Sequence, residues 1–338
     1  MLAPGLAAAV PLAFVLVTAQ VTVAQHQIDK AWESWHAHQL SEHPLVGSIW
    51  SPQTKGPVQR HALGDALAQA THALIGEVHD NPDHHRLQAW GLYERARRGR
   101  RQVVVFEMIG AEQAAALDRF YEWAGIRPRA VHEDELRRVI EWDASGWPSW
   151  EIYRPVFAAA LRAGERIVAG SPPIERTRTI GRDGFSALGS EERRGLGLDE
   201  EFSPDLDQAL ISDLQEGHCN LVPLSMLPPM ALVQRFRDAT MADRMLHAGG
   251  TAGGVLIAGN VHIRRDRGVA WYLERRGVKP EAVVSLALIE VEEGKTDAEA
   301  YVPRDHMGRP AVDFVWFTPR AARADPCKEL KEQFDKKK

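Results

Sequence analysis

The stretch LIGEVH (residues 74–79) and its echo IAGNVH (residues 257–262) carry the most informative pattern in this chain. Each is an apolar run that ends in glycine, a polar residue, valine and histidine. The runs predict buried β-strands, and we expect the glycines to let the backbone turn sharply at the strand ends. Because ligands of open α/β sheets bind outside the carboxyl ends of the strands, the two turns can place His79 and His262 in one cleft.

Four further apolar runs, rich in β-branched residues, alternate with helical patterns along the chain. Near-continuous hydrophobicity indicates strands that are buried on both faces, so we predict an α/β fold with a largely parallel sheet flanked by helices. The predicted strands are residues 72–76, 102–107, 166–170, 254–259, 283–291 and 312–318. The predicted helices are residues 82–98, 111–123, about 150–163, 204–216, 229–247 and 265–276.

The spacing of these elements is uneven. A long and predominantly helical stretch separates the third predicted strand from the fourth. We therefore predict one α/β domain over residues 45–320, with a helical subdomain inserted at about 171–250. Residues 25–45 are polar and residues 321–338 form a charged tail, and we expect both ends to be loose.

Composition limits the function. The formal net charge is −5, the isoelectric point is near 6.3, and 44% of residues are hydrophobic. This is an ordinary globular chain without the basic footprint of a nucleic-acid-binding protein, so we expect no nucleic-acid partner.

The N-terminus predicts export. Residues 5–24 are uncharged and end in small residues, which favours a signal peptide over residues 1–24; an uncleaved membrane anchor is the alternative. The protein would then be periplasmic or membrane-associated. No lipobox cysteine is present near the cleavage point. Export permits disulfides, but the sequence leaves open whether Cys219 and Cys327 pair.

The candidate site combines Glu77 and His79 with His262 and with Glu107, which ends the strand VVVFEM. Neutral imidazoles and carboxylates suit a divalent metal, with His79, His262 and Glu107 as ligands, or a general acid/base pair. Structural histidines with ordinary hydrogen bonds are the alternative. Of the neighbouring pair at positions 84 and 85, we expect one histidine at most to face the cleft and the other to be solvated.

A helix face and an aromatic segment add candidates. Gln234, Arg237, Asp238 and Met241 share one face of a predicted helix, which is either a wall of the cleft or a surface salt-bridge face. The segment WDASGWPSWEIYRP (142–155) can either stack on a flat ligand or form an ordinary core stripe.

Together, LIGEVHDNPDHHRLQ, VVFEMI, WDASGWPSWEIYRPVFAAAL, GHCNLVP, VQRFRDATMADRML and IAGNVHIRRDRGVAWYL resemble the ChaN-like haem-binding uptake proteins of the Tiki/TraB superfamily. The resemblance runs in order from about residue 45 to 320. It implies an exported protein of haem or iron acquisition that binds haem, dimerises around it and has an outer-membrane haem receptor as partner. The wider superfamily includes metal-dependent proteases and erythromycin esterase-like hydrolases with paired Gly-x-x-His elements, matched here by Gly76, Glu77, His79, Gly259 and His262.

Haem is accordingly the predicted cofactor. Tyr153 is the first candidate for the iron ligand and His218 the second, with Trp150 stacking on the macrocycle and Arg237 binding a propionate. On this hypothesis His79→Ala leaves iron ligation intact. The alternative function is a metal-dependent hydrolase that uses zinc, manganese or iron at His79, His262 and Glu107.

Overall fold

A computed structural model describes residues 32–125 and 132–335. The predicted signal peptide at residues 1–24 lies outside these ranges. Within them, no helix is both long enough and apolar enough to cross a bilayer.

One mixed sheet of eight strands organises the described chain, in the order β2-β1-β8-β7-β3-β6-β4-β5. Strands β3 to β8 are mutually parallel, and the short β1 and β2 add antiparallel pairs at one edge. This confirms the predicted α/β class and the six predicted strands; the edge pair was missed because two or three residues leave no periodicity. The strands are β1 (Ile49–Ser51), β2 (Gly56–Pro57), β3 (His72–Ile75), β4 (Val103–Gly110), β5 (Arg166–Ser171), β6 (Gly254–Ile257), β7 (Val283–Glu290) and β8 (Phe314–Thr318).

Helices cover both faces of the sheet. The six predicted helices are present with small shifts of their ends, whereas α1, α4, α6, α7 and α11 were not predicted. The helices are α1 (Arg60–Gln69), α2 (Pro82–Arg97), α3 (Ala114–Ala124), α4 (His132–Val139), α5 (Trp150–Ala163), α6 (Ile174–Asp183), α7 (Ser190–Leu196), α8 (Pro204–Gly217), α9 (Leu227–Gly249), α10 (Val269–Arg275) and α11 (Pro326–Asp335).

The two faces of the sheet have separate cores. Alternate strand residues point to opposite sides: Ile75 and Val104 pack with α1, α2 and α5, while Leu74 and Val105 pack with α8, α9 and α10. This explains why the strands are continuously hydrophobic. Four helices, α6 to α9, lie between β5 and β6, and α9 packs directly on β4, β5 and β6, so it belongs to the layer that covers this face. The inserted subdomain at about 171–250 stays a prediction.

The expectation that the N-terminal segment is loose is wrong for the residues of it that the structure describes. Trp32 packs against Trp90 and Trp316, and the backbone amides of His36 and Ala37 donate to the buried carboxylate of Asp83. Aromatic burial and a buried acceptor hold this segment on the domain.

The C-terminal tail is also held in place over residues 321–335. Arg323 donates to Asp80 and Glu290, and Cys327 in α11 forms a disulfide with Cys219 at the end of α8. Charge pairing and the cross-link fix a segment whose composition alone predicts fraying.

Candidate functional site

The two glycine-containing turns interlock at the carboxyl edge of β3 and β6. A Cβ on Gly76 would lie 2.1 Å from Oδ1 of Asn260, and a Cβ on Gly259 would lie 3.1 Å from Cε1 of His79. Each glycine therefore makes room for a side chain of the other turn. The chain turns at Gly259, where the amide of His262 donates to its carbonyl, but neither glycine has a positive φ, so close approach and not backbone conformation requires glycine here. The backbone amide of Asn260 also donates to the carbonyl of Glu77 at 3.0 Å.

Glu77 is the buried centre of the first half of the site. Its Oε1 accepts from Nδ1 of His79 at 2.7 Å and from the hydroxyl of Tyr153 at 2.6 Å. Its Oε2 accepts from the side-chain amide of Gln88 at 2.7 Å and lies 3.2 Å from Nδ1 of His85. Burial raises the pKa of Glu77, but His85 and His79 outweigh burial and hold the pKa well below its usual range.

His79 is the open member of this group. Its side chain is 38% exposed, and the ring of Trp147 meets it edge-on with the centroids 4.9 Å apart. Burial lowers the pKa of His79, but the hydrogen bond and charge of Glu77 outweigh it, so the net pKa is raised. Among the described residues Nε2 makes no hydrogen bond, and it is not enclosed.

Glu107 and His262 form the second half. Oε1 of Glu107 accepts from Arg237 at 2.5 Å and lies 3.1 Å from Nε2 of His262, and Oε2 accepts from the amide of Gly259 at 2.8 Å. Nδ1 of His262 donates to Asp238 at 2.6 Å. Burial lowers the pKa of His262, but the two carboxylates outweigh it and raise the pKa to about 9. Burial raises the pKa of Glu107, but His262 and Arg237 outweigh it and hold this pKa low.

The structure thus brings together Glu77, His79, Glu107, His262 and Arg237. It confirms that the face of α9 with Arg237 is a wall of the cleft, since Asp238 is buried and bound to His262. The sequence places Asp238 on the same helix face as Arg237 but does not predict that it is a site residue. Its position four residues after Gln234 is the pattern that could have indicated this role.

The prediction of a solvated histidine beside His79 is wrong. His84 and His85 are both fully buried. His84 accepts from the amide of Val78 and its other nitrogen bonds Thr318, which joins the turn after β3 to β8. His85 lies beneath Glu77. Helical spacing separates the two rings, but the end of β8 at Thr318 contacts His84, and Glu77 and Tyr153 lie against His85, so neither ring reaches water.

Tyr153 and Trp150 lie inside the structure. Tyr153 has no exposed surface and its ring lies against that of His85, with centroids 3.7 Å apart. Burial and the charge of Glu77 raise the pKa of its hydroxyl, so Tyr153 serves as a hydrogen-bond donor in this arrangement. Trp150 stacks on Phe157 in the core. The helical periodicity of these aromatic residues is the same whether they pack in the core or stack on a ligand, so the sequence could not distinguish the two roles.

His218 lies at the C-terminal end of α8, where its Nδ1 donates to the carbonyl of Leu214. In the part of the chain that the structure describes, no contact joins it to the site. Its role in haem binding stays a prediction, as does that of Tyr153.

No group of three or more His, Cys, Asp or Glu side chains within residues 32–125 and 132–335 is arranged to hold a metal ion. Both nitrogens of His262 already face carboxylates. The predicted ion at His79, His262 and Glu107 stays a prediction, and it would require His262 to release one of these partners.

Residues 63–273 match the family described as haem-binding uptake, Tiki superfamily, ChaN. The structure of ChaN of Campylobacter jejuni with cofacial haem binding is similar, with a TM-score of 0.56 and 18% identity over 79% of this chain and 95% of that one. This likeness shows the fold. A mutant of the erythromycin esterase EreC in its open conformation gives a TM-score of 0.45 and 12% identity over 82% of this chain and 99% of that one, too low to carry an argument.

One curated relative is RETICULATA-RELATED 5, chloroplastic, of Arabidopsis thaliana. It is 25% identical over 209 residues, which cover 56% of this chain and 26% of that protein. The chain therefore spans about a quarter of the length of this relative.

Proposed function

Because the chain belongs to the haem-binding uptake family of the Tiki superfamily that includes ChaN, we propose that it is an exported haem-binding protein of iron uptake. The observation that carries this proposal is the cleft at the carboxyl edge of the sheet. It presents a half-exposed imidazole, His79, beside an indole, Trp147.

The residues of the cleft fit haem chemically. Val261, in the turn next to the site, is 53% exposed, and Leu224 and Met226 immediately before α9 are 68% and 52% exposed. Gln234 on α9 contacts His262. Helix α9 begins seven residues before Gln234, so the first residue of the helix lies about 10 Å from Gln234 along the helix axis. Val261, in the turn that carries His262, puts an exposed apolar side chain beside the polar centre, which suits a ligand with an apolar body and charged edges.

Arg237 supplies a cation for such an edge. It is 26% exposed and donates to Glu107 through one of its nitrogens, which leaves further guanidinium donors directed elsewhere. A carboxylate of the ligand can accept from these donors. Haem would supply the iron that exchanges ligands and redox state; the protein binds and orients it.

The test is a titration of residues 25–338 with ferric haem, followed by absorbance. The proposal predicts a saturable, shifted Soret band of defined stoichiometry. Val261→Asp should weaken binding because it places a charge against the apolar body. Met307→Asp is the matched control, since Met307 is 66% exposed in a turn with no contact to the site in the described chain. A spectrum identical to that of free haem contradicts the proposal.

Export is part of the proposal. The uncharged stretch before residue 25 supports it, and so does the disulfide, because disulfides persist in oxidising compartments. Cell fractionation and N-terminal sequencing test it: the mature chain should begin at Gln25 outside the cytoplasm. A chain that retains residue 1 and stays in the cytoplasm contradicts it.

We also propose a homodimer in the haem-loaded state and an outer-membrane haem receptor as the donor of haem. ChaN of Campylobacter jejuni binds haem cofacially, which supports a dimer around haem here. Sedimentation of the protein with and without haem should show a doubling of mass on loading, and an unchanged mass would contradict the dimer.

A second candidate function is hydrolysis. The Glu77–His79 pair is favoured as a base on a bound water because Nδ1 of His79 is held by a carboxylate, while Nε2 has no hydrogen-bond partner among the described residues. With a zinc, manganese or iron ion, metal content should follow His79 and His262. A hydrolase screen with both histidines replaced tests this candidate, and unchanged turnover would exclude it.

A further inference from the structure

A second cavity lies away from the cleft, beside the edge strand β5. Its volume is about 360 Å³, and its walls are formed by α6, α7, α9 and the residues that follow β5. It shares no lining residue with the cleft. On α9, Arg244 of this cavity follows Arg237 of the cleft by seven residues, which corresponds to about 10 Å along the helix axis. Cavities of this volume accept small molecules, so this one is a separate candidate site.

Most of the lining is apolar and held in place. Pro172 and Pro173 follow β5 directly and form one wall, while Leu196 of α7 and Phe236 of α9 form others. Phe236 is only 3% exposed, so packing fixes its ring. Gly195 of α7 adds no side chain, and a Cβ there would meet no atom within 4 Å. These surfaces suit the apolar body of a ligand.

Two arginines add positive charge to this lining. Arg244 is partly buried, and in the part of the chain that the structure describes it makes no hydrogen bond or ion pair. Arg176 of α6 binds Glu192 at 2.5 Å through one nitrogen, which leaves its other guanidinium donors for a ligand.

The acidic residues of the lining are already compensated. Glu192 is paired with Arg176, and Oδ1 of Asp243 lies 2.9 Å from both Arg276 and His247. The charge of Arg244 is therefore not cancelled within the cavity. Because partial burial lowers the local dielectric constant, such a cation attracts an anion more strongly than a fully solvated one does.

We propose that this cavity binds a small organic carboxylate. The ligand places its carboxylate on Arg244 and its apolar body against Pro172, Pro173 and Phe236, and Arg176 adds positive charge. The planar fork of donors on an arginine matches the two oxygens of a carboxylate. The apolar walls favour an organic acid over an inorganic anion, which has no apolar body. This site is independent of the proposed haem-binding function.

The experiment is isothermal titration calorimetry of the protein with three probes: 2-naphthoate, the uncharged 2-naphthylmethanol and inorganic phosphate. We expect saturable one-to-one binding of 2-naphthoate. The alcohol lacks the charge and phosphate lacks the apolar body, so each should bind about 10-fold more weakly or worse, as expected when a hydrogen bond to a charged group or the apolar contact is lost.

Two variants with matched controls locate the site. Arg244→Ala should weaken 2-naphthoate binding about 10-fold or more, whereas Arg101→Ala, which removes an exposed arginine that pairs with no described residue, should not. Gly195→Leu should block the cavity, whereas Gly217→Leu, in open space at the end of α8, should not. Circular dichroism checks that each variant is folded.

Several results would overturn the inference. One is that 2-naphthoate does not bind the wild type, or binds Arg244→Ala and Gly195→Leu as tightly as their controls. Another is that the alcohol or phosphate binds as tightly as 2-naphthoate. Haem titration of Arg244→Ala separates this site from the proposed function: its haem affinity should equal that of the wild type, and a loss of haem binding would contradict the independence of the two sites.

Discussion

The ionisation of His262 should be strongly coupled to folding. Its side chain is 2% exposed between Glu107 and Asp238, which raise its pKa to about 9 from 6.5. At about 1.36 kcal/mol per pKa unit, this rise corresponds to a stabilisation of roughly 3 kcal/mol. Because the folded pKa is raised, this stabilisation is fully present below pH 6.5 and is lost as the pH rises through about 9.

Asp238→Asn removes one of the two carboxylates and should lower the pKa of His262. We expect the ring resonances of His262, assigned by comparison with His262→Asn, to titrate near pH 9 in the wild type and at lower pH in Asp238→Asn. The free energy of unfolding, measured with denaturant at pH 6.5 and pH 9.5, should fall more between these two pH values in the wild type than in Asp238→Asn. Glu165, whose pKa burial raises to about 8, loses stabilisation over this range in both proteins and cancels in the comparison.

Two results would refute this reasoning. One is a wild-type midpoint at or below pH 6.5, which would mean that burial outweighs the carboxylates. The other is an equal pH-dependent loss of stability in both proteins.

Three further predictions concern stability and are measured by denaturant unfolding. Gly76→Ala should destabilise the protein by about 1–3 kcal/mol or more because its Cβ meets Asn260, whereas Gly195→Ala, with open space, should not; equal effects would contradict the interlocked turns. Cys327→Ser should lower the free energy of unfolding by up to about 4.7 kcal/mol, the value expected for a disulfide that closes a loop of about 100 residues, because 108 positions separate the two cysteines. An unchanged free energy of unfolding would show that the tail is not cross-linked. Tyr153→Phe should cost about 1.5–3 kcal/mol by removing a donor to charged Glu77, and a neutral effect would exclude that bond.

The sequence predicted the sheet well because six of its strands are buried on both faces and therefore continuously apolar. The pairing of the two glycine-containing turns could also be predicted, because both follow parallel strands. Their reciprocal fit could not, since it depends on β3 and β6 being neighbours, which the spacing in the chain does not reveal.

The roles of individual side chains were harder to predict. His79, His85 and Tyr153 all belong to types that ligate iron, and only the fold shows which of them is exposed. The tail is a second case: its charge predicts fraying, but Arg323 meets Asp80 and Glu290 and the disulfide holds the helix that follows. Tertiary pairing overrode local composition there.

The most direct test of the account is to locate the iron. Crystals of residues 25–338 with bound haem, measured at the iron absorption edge, should show one anomalous peak per chain in the cleft at the carboxyl edge of the sheet, which His79, Trp147 and Arg237 border. A peak at a surface site outside this cleft, or no peak anywhere in the molecule, would contradict the account.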